Sequence, residues 1–145
     1  MDISLRPATA ADYDFLYDLH RQAMRAYVEA TWGWVEAWQA EYFRKKFDPA
    51  NRQVIQVNGR DAGVLVVEDR DDYRYLALIE LLPAYQGQGV GTALVQNLQQ
   101  QARDQQMRLV LHVLKANTRA RRLYEALGFV DCGEEAIRWQ MEYVP

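Results

Sequence analysis

Residues 79–93 read Ile79-Glu80-Leu81-Leu82-Pro83-Ala84-Tyr85-Gln86-Gly87-Gln88-Gly89-Val90-Gly91-Thr92-Ala93. An apolar run ends at a proline and a glycine-rich turn, after which Val90, Leu94, Leu98 and Ala102 recur at helical spacing. The segment predicts a strand, a tight loop and a helix start. Three of the chain's eight glycines fall within Gly87–Gly91, more than a plain turn needs. Glycines let several backbone N–H groups converge, and a helix N-terminus adds positive potential, so the design suits a phosphate or pyrophosphate. A P-loop is excluded because no Gly-Lys-Ser/Thr follows. A dinucleotide fingerprint fits badly: the spacing is Gly-x-Gly-x-Gly, and the next strand carries His112 where an acid would hold a ribose.

Outward from the loop, the pattern runs through the whole chain as one domain, 1–145, with no repeat, low-complexity stretch or linker. Ile3 and Leu5 form a short strand ending at Pro7. Thr9 and Asp12 resemble a capping box ahead of a helix with Phe15, Leu16, Leu19, Ala23, Ala26 and Tyr27 on its apolar stripe. Thr31-Trp32-Gly33 interrupts, and a second helix spans Trp34 to Phe47, stopped by Asp48-Pro49. The period then becomes two. Val54–Val57, Asn58-Gly59 and Ala62–Val67 read as a hairpin, since Asn-Gly tolerates positive φ. Glu68, Asp69, Asp71 and Asp72 form a solvated turn whose spacing matches no metal-ligand motif. A long fourth strand covers Tyr73–Leu82, and a fifth, Leu109–Leu114, follows the helix after the loop. A helix through Ala120, Leu123, Tyr124 and Leu127 stops at Gly128. Phe129–Cys132 and Ile137–Tyr143 are two closing strands turning at Gly133. The result is an α/β fold, a mixed sheet covered by helices.

Composition removes whole classes. Seventeen Lys and Arg against twenty Asp and Glu give a net charge of −3, which argues against a general nucleic-acid binder. No apolar run approaches a membrane span, and no basic-then-apolar leader opens the chain, so neither a membrane protein nor a secreted one is expected. The lone Cys132 fits a reducing, cytoplasmic setting. It reads as buried and inert.

Gln86-x-x-Gly89-x-Gly91 resembles the acetyl-CoA pyrophosphate signature of the GNAT superfamily of N-acetyltransferases. Asn117-Thr118-Arg119-Ala120-Arg121-Arg122-Leu123-Tyr124-Glu125-Ala126-Leu127-Gly128-Phe129 is similar to a second segment of that family, and the two lie in the family's order with a strand between. The resemblance covers the whole element order and is weakest before about residue 50, where family members diverge. It implies a mostly antiparallel sheet in which the fourth and fifth strands are a splayed parallel pair, flanked by about four helices.

The resemblance further implies acetyl-CoA as cosubstrate, with no metal. Gln86, Gly87, Gln88, Gly89, Val90, Gly91, Thr92 and Asn117 would bind it, and the Leu81 N–H would face the oxyanion. Gln86 and Gln88 depart from the basic residues common in family loops, leaving backbone dipoles, aided by Lys115 or by Arg119, Arg121 and Arg122, to hold the pyrophosphate. Tyr124 matches the tyrosine that protonates the coenzyme sulfur. A phenol with a reference pKa of about 10 can do so without being ionised. On the residues alone Tyr124 would be core.

Acetyl transfer to an amine also needs a base. Alternation along the fourth strand puts Glu80 among Leu76, Leu78 and Leu82, a desolvated position that favours a general base. His112, with Val110 and Leu114 on the fifth strand, is the alternative or the partner of Glu80. His20 reads as a surface residue. Tyr27, Trp32, Trp34, Trp38, Tyr42 and Phe43 crowd the first two helices, mostly as core. The Trp32-Gly33-Trp34 corner, with Glu29 or Glu36 at its rim, is an expected wall for the acceptor amine. That acceptor would be a small amine, an amino acid or a peptide N-terminus, taken directly in a ternary complex. A non-catalytic acyl-CoA-binding module is the competing reading, and a homodimer is compatible with either.

Overall fold

The computed structural model describes residues 1–145. The elements run β1 (Ile3–Pro7), α1 (Tyr13–Thr31), α2 (Glu36–Lys46), β2 (Gln53–Val57), β3 (Arg60–Asp69), β4 (Tyr73–Leu81), α3 (Val90–Gln105), β5 (Arg108–Leu114), α4 (Thr118–Ala126), β6 (Val130–Glu134) and β7 (Arg138–Tyr143). Seven strands form a mixed sheet in the order β1-β2-β3-β4-β5-β7-β6. The β4–β5 pair is parallel and the other described pairs are antiparallel. No helix is long and apolar enough to cross a membrane. The chain divides into two compact units, Met1–Val66 with Leu78–Gln88, and Val67–Ala77 with Gly89–Pro145.

In the first unit, β1 and β2 pair from Ile3↔Val57 to Pro7↔Gln53, and β2 turns into β3 at Asn58 and Gly59. Both turn residues have positive φ, 52° and 79°, the hand that matches the twist of a two-residue hairpin. Leu16, Leu19 and Val28 of α1 are buried, as are Val54, Ile55, Val64 and Leu65. Arg6 on β1 forks onto Asp12, with Nη1 3.0 Å from Oδ2 and Nη2 2.8 Å from Oδ1, and it also reaches Asp61. The Asp12 carboxylate accepts the Thr9 N–H at 2.8 Å as well, so the capping residue at the head of α1 is fixed from two sides. Its pKa is held down to about 2, chiefly by the Arg6 hydrogen bonds.

Gly63 admits a close approach. A Cβ built there would stand 2.2 Å from the Glu80 carbonyl oxygen. Without a side chain at this point β3 lets the β4 backbone in, and the Leu82 N–H donates to Ala62 O at 2.9 Å. The second helix begins at Glu36, two residues later than the sequence suggests. Gly33 turns the chain with φ 83° and Val35 is still extended.

In the second unit β4 runs beside β5 from Tyr73↔Arg108 to Leu76↔Leu111, and β7 lies antiparallel between β5 and β6. Val90, Leu94, Val95, Leu98 and Ala102 bury the stripe of α3, and the buried Gln99 donates to Leu127 O at 2.7 Å. Gly128 closes α4 with φ 94°. Two expectations fail at the chain's end. Gly133 lies inside β6, and the turn falls at residues 135–137. Cys132 is exposed, not buried. The β6 strand is the sheet edge, and a register shift between Asp131 and Gly133 turns this part of it to solvent.

Candidate functional site

The loop after β4 is shaped by its glycines. After a short 3-10 turn at Pro83–Tyr85, Gly87 and Gly89 both take left-handed φ, 74° and 85°. Only glycine does so without strain. Gly89 is the N-cap of α3 and supplies no side chain to it, so the helix start presents backbone N–H groups without a side-chain cap. Val90 at the start of α3 is buried, while Gly91 and Thr92 in its first turn are half-buried. The two glutamines brace the loop. Gln86 Nε2 donates to Leu81 O at 2.9 Å, and Gln88 Nε2 donates to Ala84 O at 2.8 Å. In the second unit Asn117 caps α4, its Oδ1 accepting the Ala120 N–H at 3.1 Å.

Glu80 is buried, as its position on β4 predicts, with a side chain only 2% exposed. Its partner is the residue assigned to the surface. His20 Nδ1 stands 2.9 Å from Glu80 Oε2. The imidazole packs near Trp34, 5.9 Å away, and on Phe43, stacked at 6.1 Å. The buried Gln39 of α2 also favours its charged form. Burial works against a charged imidazole and is the largest single influence, but the Glu80 carboxylate together with Gln39 outweighs it, and the His20 pKa is raised.

Arg52, just before β2, completes this cluster. Its guanidinium lies over Phe43 and Phe47 at 5.9 and 6.0 Å, and its buried Nε has no hydrogen-bond partner. Burial lowers its pKa, and the fields of Glu80 and Asp48 oppose that shift. Sequence reasoning missed His20, Gln39 and Arg52. A signal for His20 was present: Leu16, His20 and Ala23 fall at i, i+4 and i+7, so it sits on the apolar stripe of α1.

His112 has a different partner. Its Nδ1 lies 2.6 Å from the Tyr75 hydroxyl, and Glu135 Oε2 is 3.7 Å from its Nε2. Burial and then Arg138 lower its pKa, so the neutral ring is favoured and Tyr75 donates to it. Glu80 and His112 each have a hydrogen-bond partner of their own, His20 and Tyr75. Tyr124 is buried, its ring edge-on to Phe129 at 5.6 Å. Burial alone pushes its pKa up to about 12, so the phenol keeps its proton across the working pH range.

The basic residues near the second motif are largely committed. Lys115 pairs with Glu134 at 2.6 Å, and Arg121 Nη2 with Asp131 at 2.6 Å, both lying over the Trp139 ring. Arg122 is exposed. At the aromatic corner the two tryptophans separate. Trp32 is 62% exposed. Trp34 is half-buried, with its Nε1–H on Glu36 Oε2 at 2.6 Å and Arg25 over its face at 5.7 Å. Glu29 lies on the outer side of α1 beside Arg25, where the surface is only a shallow depression. The structure thus brings Trp34 to the His20–Glu80 pair and leaves Trp32 and Glu29 at the surface. No group of three His, Cys, Asp or Glu side chains is arranged to hold a metal ion. In the acidic turn Glu68 and Asp69 pair with Arg70 and Arg74.

A family model described as the acetyltransferase (GNAT) family matches residues 13–129. No curated protein sequence matches the chain. Among solved structures, the chain is similar over its full length to the PaiA N-acetyltransferase of Thermoplasma acidophilum in complex with coenzyme A. That match has TM-score 0.80 and 16% identity, and covers all of both chains. An acetyltransferase from Thermus thermophilus gives TM-score 0.77 and 17% identity, covering 100% of this chain and 98% of that one. The ribosomal-protein-S18-alanine N-acetyltransferase of Escherichia coli gives 0.69 and 20%, covering 99% and 94%. At these identities the likeness is one of fold.

Proposed function

The chain belongs to the GNAT family of acetyltransferases, and from that premise we propose that it is a single cytoplasmic domain transferring an acetyl group from acetyl-CoA to a primary amine. The acceptor class is a small amine, an amino acid or a peptide N-terminus. The observation that carries this reading is the loop ahead of α3, where Gly87 and Gly89 are both left-handed and the helix start has no side-chain cap. That arrangement fits a pyrophosphate, which the N–H groups of residues 87–92 would receive. The coenzyme supplies the acetyl group as a thioester, and the protein's own groups do the rest.

The Leu81 N–H is assigned to the developing oxyanion, where an oriented dipole stabilises charge without reorganising. Tyr124, protonated and buried, is assigned the proton for the departing sulfur. Glu80 is the proposed proton acceptor, supported by its burial and by a bonded imidazole beside it. His112, committed to Tyr75 and with a lowered pKa, is the weaker choice. Trp34, which packs on His20, is favoured over Trp32 and Glu29 as the wall of the acceptor pocket. Cys132 sits on the edge strand β6 with a raised pKa, which supports direct transfer without an acetyl-enzyme.

The test pairs thermal-shift measurements with acetyl-CoA against free-thiol release over a panel of amines. Stabilisation together with thiol release that depends on an amine is the expected result. Stabilisation with no release for any acceptor would favour a binding module. No stabilisation would defeat the assignment of the loop.

A further inference from the structure

A carboxylate that is 2% exposed is poorly placed to hand a proton back to water after each turnover. In the pair at the end of β4 the other member, His20, is 24% exposed. The 2.9 Å contact between Nδ1 and Glu80 Oε2 places the ring. It leaves Glu80 Oε1 to meet an incoming N–H, and in the neutral tautomer that carries its hydrogen on Nε2 the Nδ1 lone pair can take the proton from the carboxylate. A carboxylate beside an imidazole is the arrangement by which proteins orient a proton acceptor and stabilise its charged form. Trp34 and Phe43 both pack against the ring. The buried Gln39 of α2 acts on the ring as well, in favour of its protonated form.

The geometry points to His20 as the proton-holding partner of Glu80: the proton taken from the acceptor ammonium by this pair comes to rest on the His20 imidazole. The inference rests on the acetyl-transfer reading above. In balance, the ammonium loses one proton to the pair of Glu80 carboxylate and neutral His20 imidazole, net charge −1, giving the free amine and a net-neutral imidazolium–carboxylate. The amine lone pair then forms the N–C bond to the thioester carbonyl as the C–S bond breaks. The thiolate takes the Tyr124 proton, and the second nitrogen proton restores the phenol by way of solvent. His20 then releases its proton to water.

The groups facing His20 decide when it can accept. Glu80 from β4 and Gln39 from α2 favour its charged form, while burial and Arg52 oppose it. Their balance raises the His20 pKa. Turnover therefore needs a pH at or above that raised value, and the enzyme should gain activity as pH climbs through it.

The chain has only two histidines, so imidazole NMR titration resolves both directly. The expected result is one ring titrating above the usual value, identified by its loss in His20→Gln, and an ascending limb of kcat with the same midpoint. The limb should not move between acceptors of different amine pKa. In His20→Gln the limb should vanish and kcat should fall about 10²-fold, the lower end of a general-base contribution, with the KM for acetyl-CoA unchanged. In Glu80→Gln the His20 midpoint should drop, because burial and Arg52 are then unopposed by a carboxylate. If His20→Gln does not fold, the match between NMR midpoint and rate limb in the unmodified protein decides. Turnover with a limb that survives in His20→Gln, or that misses the His20 midpoint, overturns this inference alone. Stabilisation by acetyl-CoA with no turnover for any amine overturns the transfer reading and this inference with it.

Discussion

His20 and Glu80 are sixty residues apart in sequence and 2.9 Å apart in space. That contact ties α1 to β4, and because the His20 pKa is raised it makes folding stability depend on pH. Below about pH 6.5 the imidazole is protonated in both folded and unfolded chains, and the pair contributes in full. As pH rises through the folded value the contribution is lost. His112 has the opposite sign, since a lowered pKa gives stability that is present above about pH 6.5 and lost as pH falls through its folded value. Denaturant titrations from about pH 5.5 to 9 should therefore show the gap between the native chain and His20→Gln narrowing as pH rises. A gap constant with pH would refute the linkage.

Two glycines should fail for different reasons. At Gly63 a methyl group would meet the Glu80 carbonyl oxygen at 2.2 Å, so Gly63→Ala must move β4. A loss of about 1–3 kcal/mol is expected from overpacking, read by chemical denaturation. Activity should fall too, because the displaced segment carries Glu80 and Leu81.

At Gly89 a methyl group would meet nothing within 4 Å, but φ is 85°. Gly89→Ala should cost about 1–2 kcal/mol from the left-handed backbone alone. By turning the amides at the head of α3 it should also weaken acetyl-CoA binding, measured by calorimetry. Unchanged coenzyme affinity would separate the loop from the pyrophosphate.

Tyr124→Phe removes a hydroxyl and leaves the ring that packs on Phe129. The fold should persist, with kcat reduced about 10²- to 10⁴-fold and the KM for acetyl-CoA nearly unchanged. Because the phenol pKa is pushed up to about 12, the native enzyme should show no loss of rate from phenol ionisation near pH 10. A descending limb at pH 10 that disappears in Tyr124→Phe would contradict the effect of burial.

Cys132 is exposed on the edge strand and its pKa is raised, by desolvation first and then by Glu142. A thiol reagent should modify it in the folded protein, slowly at neutral pH, where little thiolate is present. Cys132→Ser should leave turnover unaltered. A large loss would revive the acetyl-enzyme route.

The order of strands and helices was legible because each element announces itself locally. Asn58-Gly59 marks the hairpin, the stripe from Val90 to Ala102 marks α3, and the glycines mark the loop. The burial of Glu80 followed from alternation along β4. What stayed hidden was long-range pairing. Leu19 and Arg21 flank His20 in sequence and say nothing of Glu80, and no local pattern told that His112 would be taken by Tyr75. Cys132 was misjudged for a related reason: the β6 residues look alike whether the strand lies inside a sheet or at its edge, and that is set by the strand order, not by the strand.

The glutamines at positions 86 and 88 have one last consequence. Both spend their amides on backbone carbonyls, Leu81 O and Ala84 O, and neither brings a formal charge to the loop. A cradle made of dipoles exchanges few counterions when its anion arrives, so its grip should change little between dilute buffer and concentrated salt. A lysine- or arginine-lined cradle would loosen over the same range. Such a loop would hold coenzyme steadily through swings of cellular ionic strength, at the cost of any long-range pull on a distant anion.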